Sequence, residues 1–183
     1  MINGVNRISI IGGPGTGKTT LANSLGKELN LPVYHIDGIH HLENWQIRDK
    51  NERDEIILNK VKETKWIIDR TYKNTLDERI KNSDMVIFLN YSKLARVKGI
   101  FSRYIKHRGE EKPEIPGCKE QMNLDFIKQT INWDKTRLNL INETLDKYEN
   151  KEIHIFKNRK GLNKWYKQKF GKNMYIMEKE IKI

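Results

Sequence analysis

A single cysteine, Cys118, stands among 183 residues, so no disulfide can close within the chain, and such a composition suits a reducing compartment. No apolar run approaches the roughly eighteen residues that mark a membrane-spanning helix. The opening MINGVNR has no apolar stretch of the signal-peptide kind. These absences predict a cytoplasmic protein with no membrane partner. Internal repeats and low-complexity linkers are also missing, so one domain over residues 1–183 is expected, long enough to bury a substantial core.

Acidic residues are equally few in both halves, and the charge asymmetry comes from the bases. Residues 1–90 hold 13 Lys/Arg against 12 Asp/Glu, a net +1, whereas residues 91–183 hold 22 against 12, a net +10. Two acid-free blocks carry the excess, SKLARVKGIFSRYIKHR (92–108) and HIFKNRKGLNKWYKQKFGK (154–172). Basic faces of this kind bind nucleotides, nucleic acid or anionic membranes, and lysine-rich solvated helices are the plainer alternative.

Short apolar runs rich in β-branched residues recur at Ile8–Ile11, Val33–Ile36, Trp66–Asp69, Met85–Leu89 and Ile153–Phe156. Helical patterns separate them, which is the layout of a parallel sheet covered by helices. Asp49 followed by Glu52, and Thr75 followed by Glu78, have the spacing of helix-capping boxes. In 92–108, Leu94, Val97, Phe101 and Tyr104 share one helical side, with Arg96, Arg103 and His107 turned roughly the other way. GEEKPEIPGCKEQMN (109–123) breaks regularity with two prolines and two glycines and predicts an exposed loop or lid, over about 104–126 in all. A helix pattern resumes through 133–148. The terminal MYIMEKEIKI alternates, with Tyr175, Met177, Ile181 and Ile183 on one side, and predicts a short strand in an extension over 172–183.

One stretch is specific. Gly12-Gly13-Pro14-Gly15-Thr16-Gly17-Lys18-Thr19-Thr20 satisfies the phosphate-loop pattern, with an apolar strand before it and a helix opening after it. Glycines let successive backbone N–H groups turn into one concavity, and the helix N-terminus adds partial positive charge there. Lys18 is placed to reach the β- and γ-phosphates, and the Thr19 hydroxyl to ligate Mg²⁺. The loop predicts a nucleoside triphosphate site for ATP with Mg²⁺.

What receives a phosphoryl group is read from the strand ends. Asp69 closes an apolar strand at the edge facing the phosphates and can hold Mg²⁺ through water. Arg70 follows it, so the Asp-Glu pair of hydrolytic motors is absent. No Asn-Lys-x-Asp sequence selects guanine, because Asn59-Lys60-Val61 continues with Lys62. Asp37, closing the second strand, is expected to orient an acceptor hydroxyl or take its proton. His40 and His41 point apart as neighbours do, and no Cys/His set completes a metal site. His35 and His154 are expected as packing residues within strands, and Trp45 as packing or as a wall of the acceptor pocket. Arg103, Arg108 and Arg137 flank the lid segment, where cations can surround a migrating phosphoryl group and exclude water.

In order, GGPGTGKTT, LPVYHIDGIHH, NW at 44–45, WIIDRTY, DMVIFLNY, RYIKHRG, PGC and LDFI make the chain resemble the nucleotide-kinase branch of the P-loop proteins. It resembles adenylate kinases especially, and within that branch the FlaR-type DNA topology modulation proteins. The resemblance covers roughly 7–160. It implies an α/β, three-layer P-loop fold with a five-stranded parallel sheet in nucleoside-monophosphate-kinase order and a small lid. It also implies catalytic roles for Lys18 and the lid arginines, metal roles for Thr19 and Asp69, and a base loop at Asn158 and Arg159. WIIDRTY departs from the pattern, with Arg70 and Thr71 where relatives show Gly-Asn, and Asn90 stands where an aspartate is usual.

Three functions follow as expectations: a kinase for a small acceptor such as a nucleotide or nucleoside, a nucleotide-dependent DNA-associated regulator, or a nucleotide-binding scaffold without turnover. The first is preferred, since no helix-turn-helix or zinc-finger signature accompanies the basic blocks. The alternating C-terminal stretch would suit a homodimer contact or a sheet edge.

Overall fold

The computed structural model describes residues 4–120 and 123–174. Five parallel strands form the main sheet: β1 (Arg7–Gly12), β2 (Val33–His35), β3 (Trp66–Asp69), β4 (Met85–Leu89) and β7 (Glu152–Phe156). They lie in the order β2-β3-β1-β4-β7. In register, Ile8 sits between Ile67 and Met85, and Ile10 between Asp69 and Ile87. Strands covered on both faces read as nearly unbroken apolar runs, as β3 and β4 do.

Period-two alternation sends these side chains into separate cores. Ile8, Ile10, Ile67, Ile87 and Leu89 pack with Leu21, Leu25, Leu162 and Tyr166, from α1 (Lys18–Leu29) and α8 (Arg159–Phe170). Ile11, Val86 and Phe88 face the opposite layer, against Leu76, Ile80, Ile141 and Leu145, from α4 (Lys73–Asn82) and α7 (Asn139–Asp146). A third cluster joins Trp66 and Ile68 to Ile57 and Val61 of α3 (Lys50–Val61). Among the described residues no helix is long and apolar enough to cross a membrane.

Local signals decide the helix ends, with one exception. Asp49 caps α3 as its spacing predicts, accepting from Asn51 N at 2.8 Å and Glu52 N at 3.1 Å. Thr75 caps nothing. The helix already begins at Lys73, and Thr75 lies buried inside it, where its carbonyl accepts from Arg79 Nε.

The basic block at 92–108 forms α5 (Lys93–His107), capped by Ser92. Its buried side is not the expected one. Arg96 and Ile100 are buried, while Leu94 and Phe101 are exposed. The reason is steric and polar together: α5 lies against the phosphate loop, where Gly99 meets the carbonyl of Gly15, and Arg96 finds carbonyl and carboxylate acceptors there.

Residues 109–120 are more regular than two prolines suggest. β5 (Glu111–Lys112) and β6 (Ile115–Lys119) form an antiparallel hairpin, seated by the buried Cys118, whose Sγ accepts from Trp45 N at 3.1 Å. The helix expected over 133–148 is present to Asp146, with a change of winding within it. α6 (Leu124–Trp133) passes into a π-helical turn at Asp134–Leu138 before α7 begins. Asp37 lies just beyond the second strand, in the short helix α2 (Ile36–His40). The strand expected near Tyr175 falls outside the described residues.

Candidate functional site

The phosphate loop leaves β1 at Gly12, whose φ of 146° and closeness to Leu89 O (2.6 Å from where a Cβ would stand) admit only glycine. Thr71 holds this corner from the neighbouring strand end. Its hydroxyl accepts from Gly12 N at 2.8 Å and donates to Gly12 O at 3.1 Å. Within the loop, Thr16 Oγ1 donates to Gly13 O at 2.9 Å, and Lys18 Nζ donates to the same oxygen at 2.8 Å. Lys18 is thus folded onto its own loop. Burial lowers its pKa to about 8, opposed by Asp69 and assisted by Arg70 and Arg103.

Beside the lysine lies a polar ledge built from the ends of β2 and β3 and from helix α1. Thr19 Oγ1 donates to Asp69 Oδ2 at 3.1 Å. His35 Nδ1 stands 3.0 Å from Asp69 Oδ1, and its Nε2 stands 2.9 Å from Asn23 Oδ1. Burial opposes the charged imidazolium, but the hydrogen bond and charge of Asp69 prevail and raise the His35 pKa. An imidazolium donates to both oxygens. The pairing of a hydroxyl with one carboxylate fits Mg²⁺, a hard cation that keeps waters and takes phosphate oxygens for its remaining positions. Thr19 and Asp69 would hold it, and its charge would offset that building on a transferring phosphoryl group. Among the described residues no cluster of three or more acidic, His or Cys side chains could hold a metal alone.

The cavity is also lined by Asp37 and Arg70, joined as an ion pair. Arg70 has a φ of 107°. Burial lowers its pKa to about 10, with Tyr72 opposing and Arg137 assisting.

The closing wall comes from α5, the hairpin and the π turn. Glu120, nearly fully buried, receives Arg103 at 3.0 Å and Lys112 at 3.0 Å. It thereby ties the hairpin to α5. Arg96 donates to Tyr91 O at 2.7 Å and to Asp134 Oδ2 at 2.9 Å, and its guanidinium lies 5.1 Å from the Trp133 ring centre. The π turn begins at this point, and such turns recur at functional sites. It presents Arg137 to the cavity.

The whole encloses about 1860 Å³, against the roughly 300–1,000 Å³ of a site for one small ligand. There is room for a nucleotide and a second molecule. Lys18, Thr19, Thr20, Asp37, Asp69, Arg103, Arg137 and Arg159 all line this space, as do Gly12, Pro14, Gly15 and Gly17. Gly13 and Thr16 shape the loop from behind. Arg108 stands apart, its guanidinium 5.8 Å from the Tyr104 ring. Asn158 caps α8, accepting from Gly161 N at 2.9 Å. Trp45 packs beneath the hairpin, its ring 5.0 Å from Lys112 Nζ.

Several lining groups escape sequence reasoning. His35 reads as core from its strand, yet the strand ends at the cavity. Asn23, Lys112 and Glu120 carry no motif, and Tyr91 ends the DMVIFLNY run with no role read from it. The Tyr91 hydroxyl is buried without a partner; burial raises its pKa to about 12, against the charge of Arg159. That arginine reaches the loop itself, its Nη2 lying 2.8 Å from where a Gly17 Cβ would stand. Tyr91 and Arg159 therefore flank the loop on the β7 side.

The family model for the ATPase family associated with various cellular activities (AAA) matches residues 8–90, the segment from β1 through β4. No curated protein matches the chain. Among solved structures, shikimate kinase from Acinetobacter baumannii in complex with shikimate aligns with a TM-score of 0.56 at 17% identity, covering 92% of this chain and 94% of that one. An uncharacterised protein from Eubacterium ventriosum gives 0.51 at 13%, covering 91% and 98%. Shikimate kinase from Bacteroides thetaiotaomicron gives 0.50 at 17%, covering 92% and 99%. At such identities the likeness is one of fold. The protein has the α/β fold of the P-loop NTPases, with the strand order, phosphate loop and flanking helices that go with it.

Proposed function

We propose that the protein is a small cytoplasmic kinase that moves the γ-phosphoryl group of ATP to a hydroxyl of a small acceptor, a nucleotide, a nucleoside or a compound of similar size. One observation carries this reading: the triphosphate loop and Asp37 line the same cavity, together with the cationic side chains of Lys18, Arg70, Arg103 and Arg137. Phosphoryl transfer asks little covalent chemistry of a protein and depends on positioning and charge.

In this reading ATP lies along the loop amides, Lys18 leaves Gly13 O for the β- and γ-phosphates, and Arg159 and Tyr91 flank the nucleotide. The acceptor lies beside Asp37. Its hydroxyl oxygen attacks the γ-phosphorus in line as the bond to the bridging β-oxygen breaks. Asp37 orients that hydroxyl and takes its proton. Arg103 and Arg137 neutralise charge on the equatorial oxygens, and the hairpin keeps competing water out.

The solved structures that align include two named shikimate kinases, which supports small-acceptor chemistry without assigning the acceptor. The FlaR-type likeness in sequence supports the same fold branch. The DNA-associated reading gains less, because two arginines of the first basic block, Arg96 and Arg103, turn inward.

A coupled ADP-release assay across nucleosides, nucleotides and small alcohols tests the proposal. Acceptor-stimulated release is expected in the natural protein, and Lys18→Ala should lose it by at least about a hundredfold with unchanged thermal unfolding. Turnover of Lys18→Ala at the natural rate would refute this use of the loop.

A further inference from the structure

Arg70 occupies a costly position. A positive φ suits glycine, and a long side chain there is held only when its surroundings over-determine it. Here the surroundings do. Arg79 lies fully buried beneath the turn. Its Nη1 donates to Arg70 O at 2.8 Å, its Nη2 to Tyr72 O at 3.3 Å and its Nε to Thr75 O at 3.3 Å. One guanidinium thus ties two carbonyls of the β3–α4 connection to one in the first turn of α4 and fixes the direction in which Arg70 leaves the backbone. That direction is into the cavity.

The Arg70 guanidinium offers five N–H donors in a planar fork. It meets the carboxylate of Asp37, the group assigned above to the acceptor hydroxyl. Arg137 approaches from the π turn closely enough to influence it, and it lines the same space. Two guanidinium groups and the carboxylate of Asp37 therefore line the same space.

Resting on the kinase reading for the term acceptor, we propose that Arg70 is the specificity-determining residue of this site and selects a hydroxyl compound that also carries an anionic group, a carboxylate, phosphate or sulfate. Such a molecule exchanges one ion pair for two contacts. Its anion takes the Arg70 fork, with Arg137 beside it, and releases the Asp37 carboxylate to its hydroxyl. A neutral polyol must break the same pair and leave a cation in the cavity without a counter-charge, which is the costly half of a broken ion pair. In the absence of acceptor, the pair keeps Asp37 engaged.

The test separates binding from turnover. With the phosphate loop filled by a non-hydrolysable ATP analogue and Mg²⁺, melting temperature and calorimetric binding are measured for matched pairs: glycerate and glycerol, gluconate and glucitol, glycerol phosphate and glycerol, a nucleoside monophosphate and its nucleoside. Inorganic sulfate is added as a bare anion. In the natural protein the anionic member of at least one pair should bind about tenfold or more tightly than its neutral partner, and the carboxylate and phosphate arms identify which anion is read. Arg70→Gly suits the positive φ and should bring the two members to within about twofold of each other. Arg70→Asn, which also tolerates that backbone, should do the same, and Asp37→Asn should keep the preference. Retained binding of the ATP analogue shows that each variant is folded. Equal binding of charged and neutral members, persistence of the preference in both Arg70 variants, or no anion binding at all would each overturn the proposal. ADP release is then followed with the same compounds. Charge-selective binding without any release would refute the kinase reading and leave the anion site standing. Release with no charge preference would do the reverse.

Discussion

Arg53, Arg79 and Arg96 are all buried, and each is held by a different kind of partner. Arg96 has a carboxylate, Arg79 has only carbonyls, and Arg53 donates to the Nδ1 of His40 and to the Tyr72 hydroxyl, its guanidinium lying 4.6 Å from the centre of the Tyr72 ring. The last contact fixes a protonation state. His40 can accept from an arginine only through an unprotonated nitrogen, and burial, then the charges of His41 and Arg53, lower its pKa to about 4. In an unfolded chain the same ring titrates near about 6.5. Between these values the unfolded state binds the extra proton, so stability rises with pH across that window. The contribution is fully present above about 6.5 and is lost as the pH falls towards about 4. Melting curves of the natural protein should therefore decline over that interval. His40→Asn keeps an acceptor facing Arg53 without a titrating ring and should decline less. His41 shifts in the same direction and His35 in the opposite one, so the difference between the two curves is the quantity to read. Parallel curves would mean that His40 does not titrate between the two states.

Helix α5 is where element-scale reading of the chain goes furthest astray. Periodicity correctly finds a helix over 93–107 but assigns its apolar stripe to the interior. The inner side instead carries Arg96, Gly99, Ile100 and Arg103, because what it covers is the close-approaching backbone of the phosphate loop and a set of polar acceptors, Tyr91 O, Asp134 and Glu120, rather than an apolar sheet. A pattern of hydrophobic residues cannot announce a polar partner. By contrast α3 and the strands were legible, since both their caps and their alternation answer to the apolar core. The fit of α5 on the loop leads to a sharp expectation. A Cβ on Gly99 would stand 2.0 Å from Gly15 O, so Gly99→Ala must push helix and loop apart. Overpacking of this kind costs roughly 1–3 kcal/mol, and urea unfolding should show it. Binding of an ATP analogue should weaken by at least about tenfold, because the loop amides lose their register. Gly161→Ala, whose Cβ would come no nearer than 3.6 Å to Asn158 Oδ1, is the helical control and should leave stability equal or slightly higher. Full nucleotide affinity in Gly99→Ala would mean that loop and helix move independently.

Over the whole molecule, the sequence reveals the half of the site that comes from strand ends, and only the arginines of the half that comes from the lid side. Gly12 to Thr20, Asp37 and Asp69 follow apolar runs and fall at one sheet edge by topology alone. Arg103 and Arg137 are legible as lid arginines and line the cavity, whereas Lys112 and Glu120 reach it only because a hairpin brings them there, which leaves no periodic signature. The same concealment affects the charge. A net +10 over residues 91–183 suggests a nucleic-acid surface, but Arg103 is paired with Glu120, Arg96 with Asp134, and Arg137 and Arg159 line the cavity. What stays outside is dispersed lysine. DNA binding through such a surface should be sequence-independent, with a Kd of about 10⁻⁴–10⁻⁶ M at physiological salt, and should fall steeply as salt rises. Fluorescence anisotropy with two unrelated duplexes over a salt series would measure both properties. Saturation with ATP and Mg²⁺ should leave the salt slope almost unchanged, since the arginines that nucleotide engages are not those facing outward. Nanomolar, sequence-selective binding would show instead that the cavity arginines turn out to meet DNA, and it would favour the regulator over the kinase.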